Sequence, residues 1–375
     1  MSEGIKTGLE IADEFAGVDL GDLRLNRRLL KIASALAGCP TGSIPAATDG
    51  RAEMEAAYRF FDNAKVTPAD VLAPHREATL QRIRQCNMVV LAQDTTEMEL
   101  TRPTQQVEGA GPLTSEKRRG SYYHPLMAFN LENLCLGTVW NKHWVREKIH
   151  VGRSEADKQR AKLSTPIEDK ESMRWIEGIR AGREVAQACP QTTCVCVSDS
   201  ESDIYELFAE PLGTPSGNDL HLVIRACRDR KLLDGDSKID DAKLFDAVRK
   251  SECLYRCVVD VSSRKAKPNA QRKSPRTSPR DARTAKVEVR ALSVTLAPPS
   301  RPDRTLPSLK LNVILVEEPN PPEGQEPIQW LLLTTLPIST IEEVQRVVAC
   351  YCIRWQIEIT QAECVSRTSL YRLAA

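Results

Sequence analysis

No window of the chain offers the roughly 18 uninterrupted apolar residues that a membrane-spanning helix requires. Aromatic residues make up only 5% of it, and neither sign of charge dominates: 52 Lys and Arg stand against 51 Asp and Glu, a formal net of +1. Without self-repulsion, and with 41% hydrophobic residues, the chain is not disordered as a whole. No apolar segment follows a basic start; Glu3, Glu10, Asp13 and Glu14 stand there instead, which argues against a secretory signal and for a cytoplasmic location. The 12 cysteines include no CxxC pair, which argues against a zinc–thiolate site, and their scatter along the chain argues for reduced thiols. Cys194 and Cys196 alternate within an apolar run and read as small hydrophobes on one side of a strand. Length is not lacking: 375 residues suffice for two or three packed domains.

The near-neutral total hides a polarised layout. Arg264 to Lys286 holds nine Lys and Arg and one acid, Asp281, a local excess of +8 that leaves −7 for the remainder. Pro268, Pro275 and Pro279 lie in the same stretch, so it reads as a solvated loop. A soluble linker and an arm that neutralises nucleic-acid phosphates both fit that composition.

Residues 1 to about 85 read as helical. Leu23, Leu25, Leu29, Leu30, Ile32 and Ala33 recur at helical spacing, with Arg24, Arg27, Arg28 and Lys31 on another face. Such a basic face is either solvated surface or a DNA contact. Gly38-Cys39-Pro40 stops this helix, and a second runs through Met54, Ala57, Tyr58 and Phe61 toward Asn63. From Asn87 the texture changes to short β-type runs at 88–92, 126–131 and 136–144, then a helix over about 170–187 and a buried strand at 193–197. Further strands are predicted at 220–225, 311–316 and 330–335, and a helix from Thr340 to about Ile359. This order predicts an α/β layout with a mixed sheet.

Asp94 and Asp199 each follow directly on an apolar strand, at strand ends where α/β sheets gather reacting groups. Glu201 and Asp203 compete with Asp199 for that role, and Glu97 with Asp94. A third acid, Glu358, sits on the late helix. Three carboxylates can hold a pair of hard divalent cations, which activate water and stabilise the departing oxygen of a phosphodiester. Taken singly, each acid also suits a helix cap or a surface charge.

The string LAQDTTEMEL around Asp94, VSDSESDIYELF around Asp199 and YCIRWQIE closing on Glu358 resemble the acidic triad of DDE transposases of the insertion-sequence-four group. The likeness extends to LGDLRLNRRLLKIA, AAYRFFDN, KRRGSYYHPLMAFN and NPPEGQEPIQWLLLTTLP, and covers residues from about 14 to 359. It implies an α/β fold: an RNase H-like catalytic domain over 86–375 with a β-rich insertion at about 210–325, preceded by a small all-α DNA-end-binding domain over 1–85. It implies that Asp94, Asp199 and Glu358 are catalytic and hold Mg²⁺, with Mn²⁺ as substitute, for DNA strand cleavage and transfer. Arg27 and Arg28 would bind the transposon end, and Tyr351 and Arg354 would contact a phosphate beside the scissile one. Trp330 would stack a flipped base, a contact of about 1–3 kcal/mol, although it equally suits strand packing. Arg225 would line the strand path. The expected partners are transposon-end and target DNA and no membrane, with a nucleoid-associated location.

The match ends abruptly. The group's signature places a lysine seven residues after the glutamate, where this chain has Val365, and from Thr360 onward TQAECVSRTSLYRLAA resembles nothing in the group. A shifted reading frame explains such a loss, and would leave Glu358 with little behind it, the active centre impaired and the group's homodimer doubtful. Two functions therefore stand: an impaired transposase, or a catalytically inactive DNA-binding remnant or inhibitor of transposition.

Overall fold

The computed structural model describes residues 11–367 apart from 12, 41, 103, 105, 106, 116, 148–164, 235, 236, 262 and 264–280. Most of the basic stretch and the last eight residues of the unmatched tail thus lie outside the described residues.

The chain begins with helices α1 (Leu23–Gly38), α2 (Ile44–Ala47), α3 (Gly50–Phe61) and α4 (Pro68–Ile83). Asp22 caps α1 by accepting from Arg24 N, and Thr67 caps α4, which starts on Pro68; both are strong N-terminal signals. Leu29 and Ile32 close over Ile44, Ala57 and Phe60 with Val18 and Leu20, a small core of its own. Leu23 is 71% exposed, so the apolar stripe of α1 is narrower than its periodicity suggests.

The last helix of this group faces the sheet instead. Leu80 and Ile83 of α4 join the main core, and a clamp of charges ties the module's start to it. Glu14 accepts from Arg82 Nη1 and Nη2 at 2.8 and 2.7 Å and lies 2.6 Å from His75 Nδ1. Arg82 Nε in turn donates to the Leu136 carbonyl at 2.7 Å. The Arg82 guanidinium holds the Glu14 carboxyl below its ordinary 4.5 against the cost of burial. A depressed carboxylate contributes stability that is complete above its unfolded pKa and lost as pH falls through the folded one. The urea midpoint of Glu14→Gln is therefore expected to lie below wild type above about pH 4.5, and the two to converge in acid; a constant gap would remove the ion pair from the account.

Among the described residues thirteen strands follow: β1 (Met88–Gln93), β2 (Thr96–Glu99), β3 (Gly111–Pro112), β4 (Arg119–Phe129), β5 (Cys135–Trp144), β6 (Thr193–Ser198), β7 (His221–Arg225), β8 (Lys231–Asp234), β9 (Ser237–Lys243), β10 (Cys253–Val261), β11 (Arg283–Leu296), β12 (Leu309–Glu317) and β13 (Gln329–Thr334). Helices α5 (Met173–Ala188), α6 (Tyr205–Phe208) and α7 (Leu244–Lys250) lie between them, and α8 (Ile341–Ile353) and α9 (Trp355–Arg367) follow. All strands form one sheet in the order β2-β4-β1-β6-β7-β13-β12-β11-β8-β9, with β5 and β3 on β4 and β10 on β11. β1, β6 and β7 are mutually parallel, while β4, β5 and β13 join antiparallel. The β-rich stretch is thus continuous with the central strands, through β13 and β12.

Strand periodicity of two sorts the core. Leu91, Cys194, Cys196, Leu222 and Ile224 face Trp175, Ile176 and Ile179 of α5. Val90, Ala92, Val195, Val197 and Val223 face Val344, Val347, Val348 and Tyr351 of α8. Cys194 and Cys196 are buried on one side of β6, as their alternation predicted. Among the described residues no helix is long and apolar enough to cross a membrane.

The helix predicted from Thr340 to about Ile359 starts where expected, on a capping box between Thr340 and Glu343, but it breaks at Arg354. There Arg354 N bonds the Tyr351 carbonyl and Ile357 N the Arg354 carbonyl, a tightened three-residue spacing that re-aims the next helix. Periodicity could not show this, since the apolar stripe continues to Ile357.

Candidate active site

The parallel ladder of β1 and β6 pairs Val90 with Val195 and Ala92 with Val197. Two residues beyond this last pair, just past the two strand ends, stand Asp94 and Asp199, near enough for the Asp199 carboxylate to act on Asp94. Glu358, in the first turn of α9, reaches this corner through Arg354. Arg354 Nη1 donates to Glu358 Oε1 at 2.7 Å and to Asp94 Oδ2 at 3.5 Å. Its side chain is 3% exposed, against 20% for Asp94 and 44% for Glu358.

Burial, followed by the neighbouring Asp199 carboxylate, pushes the Asp94 carboxyl up to about 7; Glu358 adds to the rise, while Arg354 and the Thr95 N–H oppose it. Asp199 and Glu358 thus both act on Asp94, whose carboxyl stays raised despite Arg354. Asp199 also caps the short turn Ser200–Ser202, accepting from Glu201 N at 2.8 Å. Of its competitors, Asp203 turns away: it is fully buried and accepts from Cys227 N and Arg228 N at 2.8 and 2.9 Å, with Arg230 Nη1 2.5 Å away. Glu97 pairs with Arg118 at 2.7 Å.

An oxygen-only donor set suits a hard divalent cation, and a cationic nitrogen already bridges two of the three carboxylates, so the donors fit in kind. In spacing they do not: among the described residues no group of three or more His, Cys, Asp or Glu stands gathered closely enough to hold a metal ion.

Behind the acids lies an aromatic and cationic layer. The Trp330 ring packs 5.5 Å from that of Tyr351, and the Arg354 guanidinium lies 4.3 Å over Trp355 and 5.9 Å from Tyr351. Tyr351 is fully buried, its hydroxyl without a hydrogen bond of good geometry, though the Arg225 charge acts on it. Arg225 Nη2 donates to the Gln329 carbonyl at 3.1 Å. Tyr351, Arg354, Trp330 and Arg225 therefore lie around one corner, with Trp330 only half-buried.

On α1 the basic face is partly spent. Glu53 of α3 takes Arg28 at 2.5 Å and Lys31 at 2.7 Å, and Asp22 takes Arg24, while Arg27 stays exposed. Thr95, His124 and Arg174, which flank the acids, carry no signal in composition or spacing. The one trace is a histidine inside the apolar strand β4, where a buried polar residue needs partners.

Residues 11–66 match the family model described as transposase DNA-binding. This segment holds α1 to α3 and their core. Among solved structures, a piggyBac transposase synaptic complex with hairpin DNA, determined by cryo-electron microscopy, aligns at 8% identity and a TM-score of 0.34. That alignment covers 94% of this chain and 63% of the other, so the chain spans less than two thirds of that protein's length. The likeness is too slight to define a common fold.

Proposed function

We propose that the chain is a DDE transposase of the insertion-sequence-four group, a metal-dependent DNA nuclease and strand transferase whose DNA-end-binding module is residues 11–66. The observation that carries this reading is the register that brings Asp94 beside Asp199 at adjacent parallel strand ends, with Glu358 tied to Asp94 through Arg354. The strand order β5-β4-β1-β6-β7, antiparallel over the first three and parallel over the last three, supports an RNase H-like core. Its site of action would be the cytoplasm, on nucleoid DNA, and joining two element ends would call for a second copy of the chain.

Asp94, Asp199 and Glu358 would hold Mg²⁺, or Mn²⁺ in its place, which supplies an activated water and stabilises the departing phosphodiester oxygen. The rest falls to the chain. Arg354 offers a planar cation suited to a phosphate oxygen once it is freed from the carboxylates. Half-buried Trp330, backed by Tyr351, presents a ring on which an unpaired base can stack. The module on residues 11–66 holds the DNA near these groups.

A non-catalytic DNA binder is the second reading, favoured by Arg354 standing between Asp94 and Glu358, where a cation would otherwise sit. The test uses the full chain, labelled DNA from the ends flanking its coding region, and Mn²⁺. Nicks that disappear in Asp94→Ala support the enzyme; retarded DNA without nicks supports the binder.

Arg27, an exposed cation of α1, tests the electrostatics. Arg27→Ala is expected to weaken DNA binding evenly across sequences and to lower the slope of log affinity against log salt by about 1. An unchanged slope would place α1 away from the phosphates.

A further inference from the structure

Asp94 faces α8 and α9, but the residues on either side of it point through the sheet toward α5, where a line of buried polar groups crosses three strands. Arg174, in the first turn of α5 and 12% exposed, donates from Nε to Thr95 Oγ1 at 2.8 Å and from Nη1 to the Glu171 carbonyl at 2.9 Å. Its Nη2 reaches Glu201, two residues past Asp199, at 3.2 Å. Thr95 Oγ1 stands 2.8 Å from His124 Nδ1, His124 Nε2 stands 3.1 Å from Gln93 Oε1, and Gln93 Nε2 donates to Cys196 Sγ at 3.5 Å.

The protons of this line run one way. Arg174 only donates, so the Thr95 hydroxyl accepts from it and has its own proton to give His124 Nδ1. The ring, assigned from its partners as accepting at Nδ1 from the Thr95 hydroxyl, then carries its proton on Nε2, facing the Gln93 carbonyl oxygen. The ring is boxed by Trp175 and Trp140, at 4.6 and 6.0 Å edge-on. Helix α5 comes this close because residue 178 is glycine: a Cβ there would stand 2.2 Å from Gln93 Oε1.

One end of the line reaches the acids. Thr95 N–H donates to Asp94 Oδ1 at 2.7 Å, so the peptide that holds the carboxylate belongs to the residue whose side chain is anchored on the opposite face. Packing alone gives no reason to bury a guanidinium, an imidazole and an amide in this layer, since burial of polar groups costs unless each is bonded. We propose that Thr95, fastened by Arg174 and His124, is a positioning residue that fixes the Asp94 carboxylate for cation binding. Arg174 further joins the Asp94 turn to the Asp199 turn through Glu201. The proposal rests on reading Asp94 as a metal-holding carboxylate.

Mn²⁺ alone is the probe, titrated into the full chain and followed by the electron paramagnetic resonance signal of the free ion, with thermal melting by circular dichroism alongside. Wild type is expected to bind Mn²⁺ and Asp94→Ala to lose it. Thr95→Val, equal in volume but without the hydroxyl, is expected to bind about 10–100-fold more weakly. Thr95→Ser is expected to stay at the wild-type level, and DNA retention is expected to be the same in all four. If Asp94→Ala loses the ion while Thr95→Val keeps wild-type affinity, or if Val and Ser weaken it equally, the positioning role is overturned and the metal reading stands. If wild type binds no ion, or Asp94→Ala binds as wild type does, the metal reading falls and this inference with it. Should Thr95→Val lose its cooperative melt, Arg174→Lys replaces it: the cation stays but the fork that reaches Thr95 and Glu201 together is gone, and unweakened Mn²⁺ binding overturns the proposal.

Discussion

Asp94→Asn is expected to lower the nicking rate on element-end DNA by about 10⁴-fold or more, the scale seen when one member of a catalytic unit is removed, while DNA retention stays unchanged. The amide keeps the shape of the carboxylate and still accepts from Thr95 N–H, so the loss would report charge and not geometry. Under the proposed reading, retention would depend on the separate core of α1 to α3. A second consequence has the opposite sign. The Asp94 carboxyl rises from its ordinary 3.8 to about 7 on folding, so the folded state binds the proton more tightly than the unfolded state, and stability contributed by this group falls as pH rises between those values. In metal-free buffer above pH 7, Asp94→Asn is therefore expected to unfold at higher denaturant concentration than wild type. Loss of activity together with a gain of stability marks a carboxylate kept for function. A variant both less active and less stable would make Asp94 a structural residue.

Trp175→Ala is expected to cost about 3–5 kcal/mol, the range for emptying a large buried aromatic site. Trp175 is 1% exposed in the core between α5 and the sheet, its ring edge-on to His124 at 4.6 Å and 5.2 Å from the Arg174 guanidinium. Both strand and helix neighbours are held by other contacts, so the gap cannot close fully and the cavity term persists. The measurement is the urea midpoint, expected to fall with the slope unchanged. A loss under 1 kcal/mol would mean that α5 is not packed on the sheet as described, and the support of Asp94 through Arg174 would fall with it.

Local physics made many elements legible. The caps Asp22, Thr67 and Thr340 mark helix starts because a side-chain oxygen before an apolar run satisfies the first free amides. The runs at 88–92 and 193–197 are strands because short apolar stretches of β-formers bury both faces in a parallel pair. The basic face of α1 was legible as well, but not its occupancy: Glu53, on a different helix, takes up Arg28 and Lys31 and leaves Arg27 outward.

What the sequence by itself determined is the inventory: an α-rich start, an α/β body, and acids at the ends of two strands and on a late helix, because caps, periodicity and strand ends are properties of neighbouring residues. Only the tertiary structure decided how those pieces meet. The β1–β6 register sets Asp94 beside Asp199, the break at Arg354 turns a cation between Asp94 and Glu358, and the close approach of α5 makes Thr95, His124 and Arg174 one bonded line. Register, helix break and buried polar partnership each join residues dozens to hundreds of positions apart, and no local pattern carries that distance.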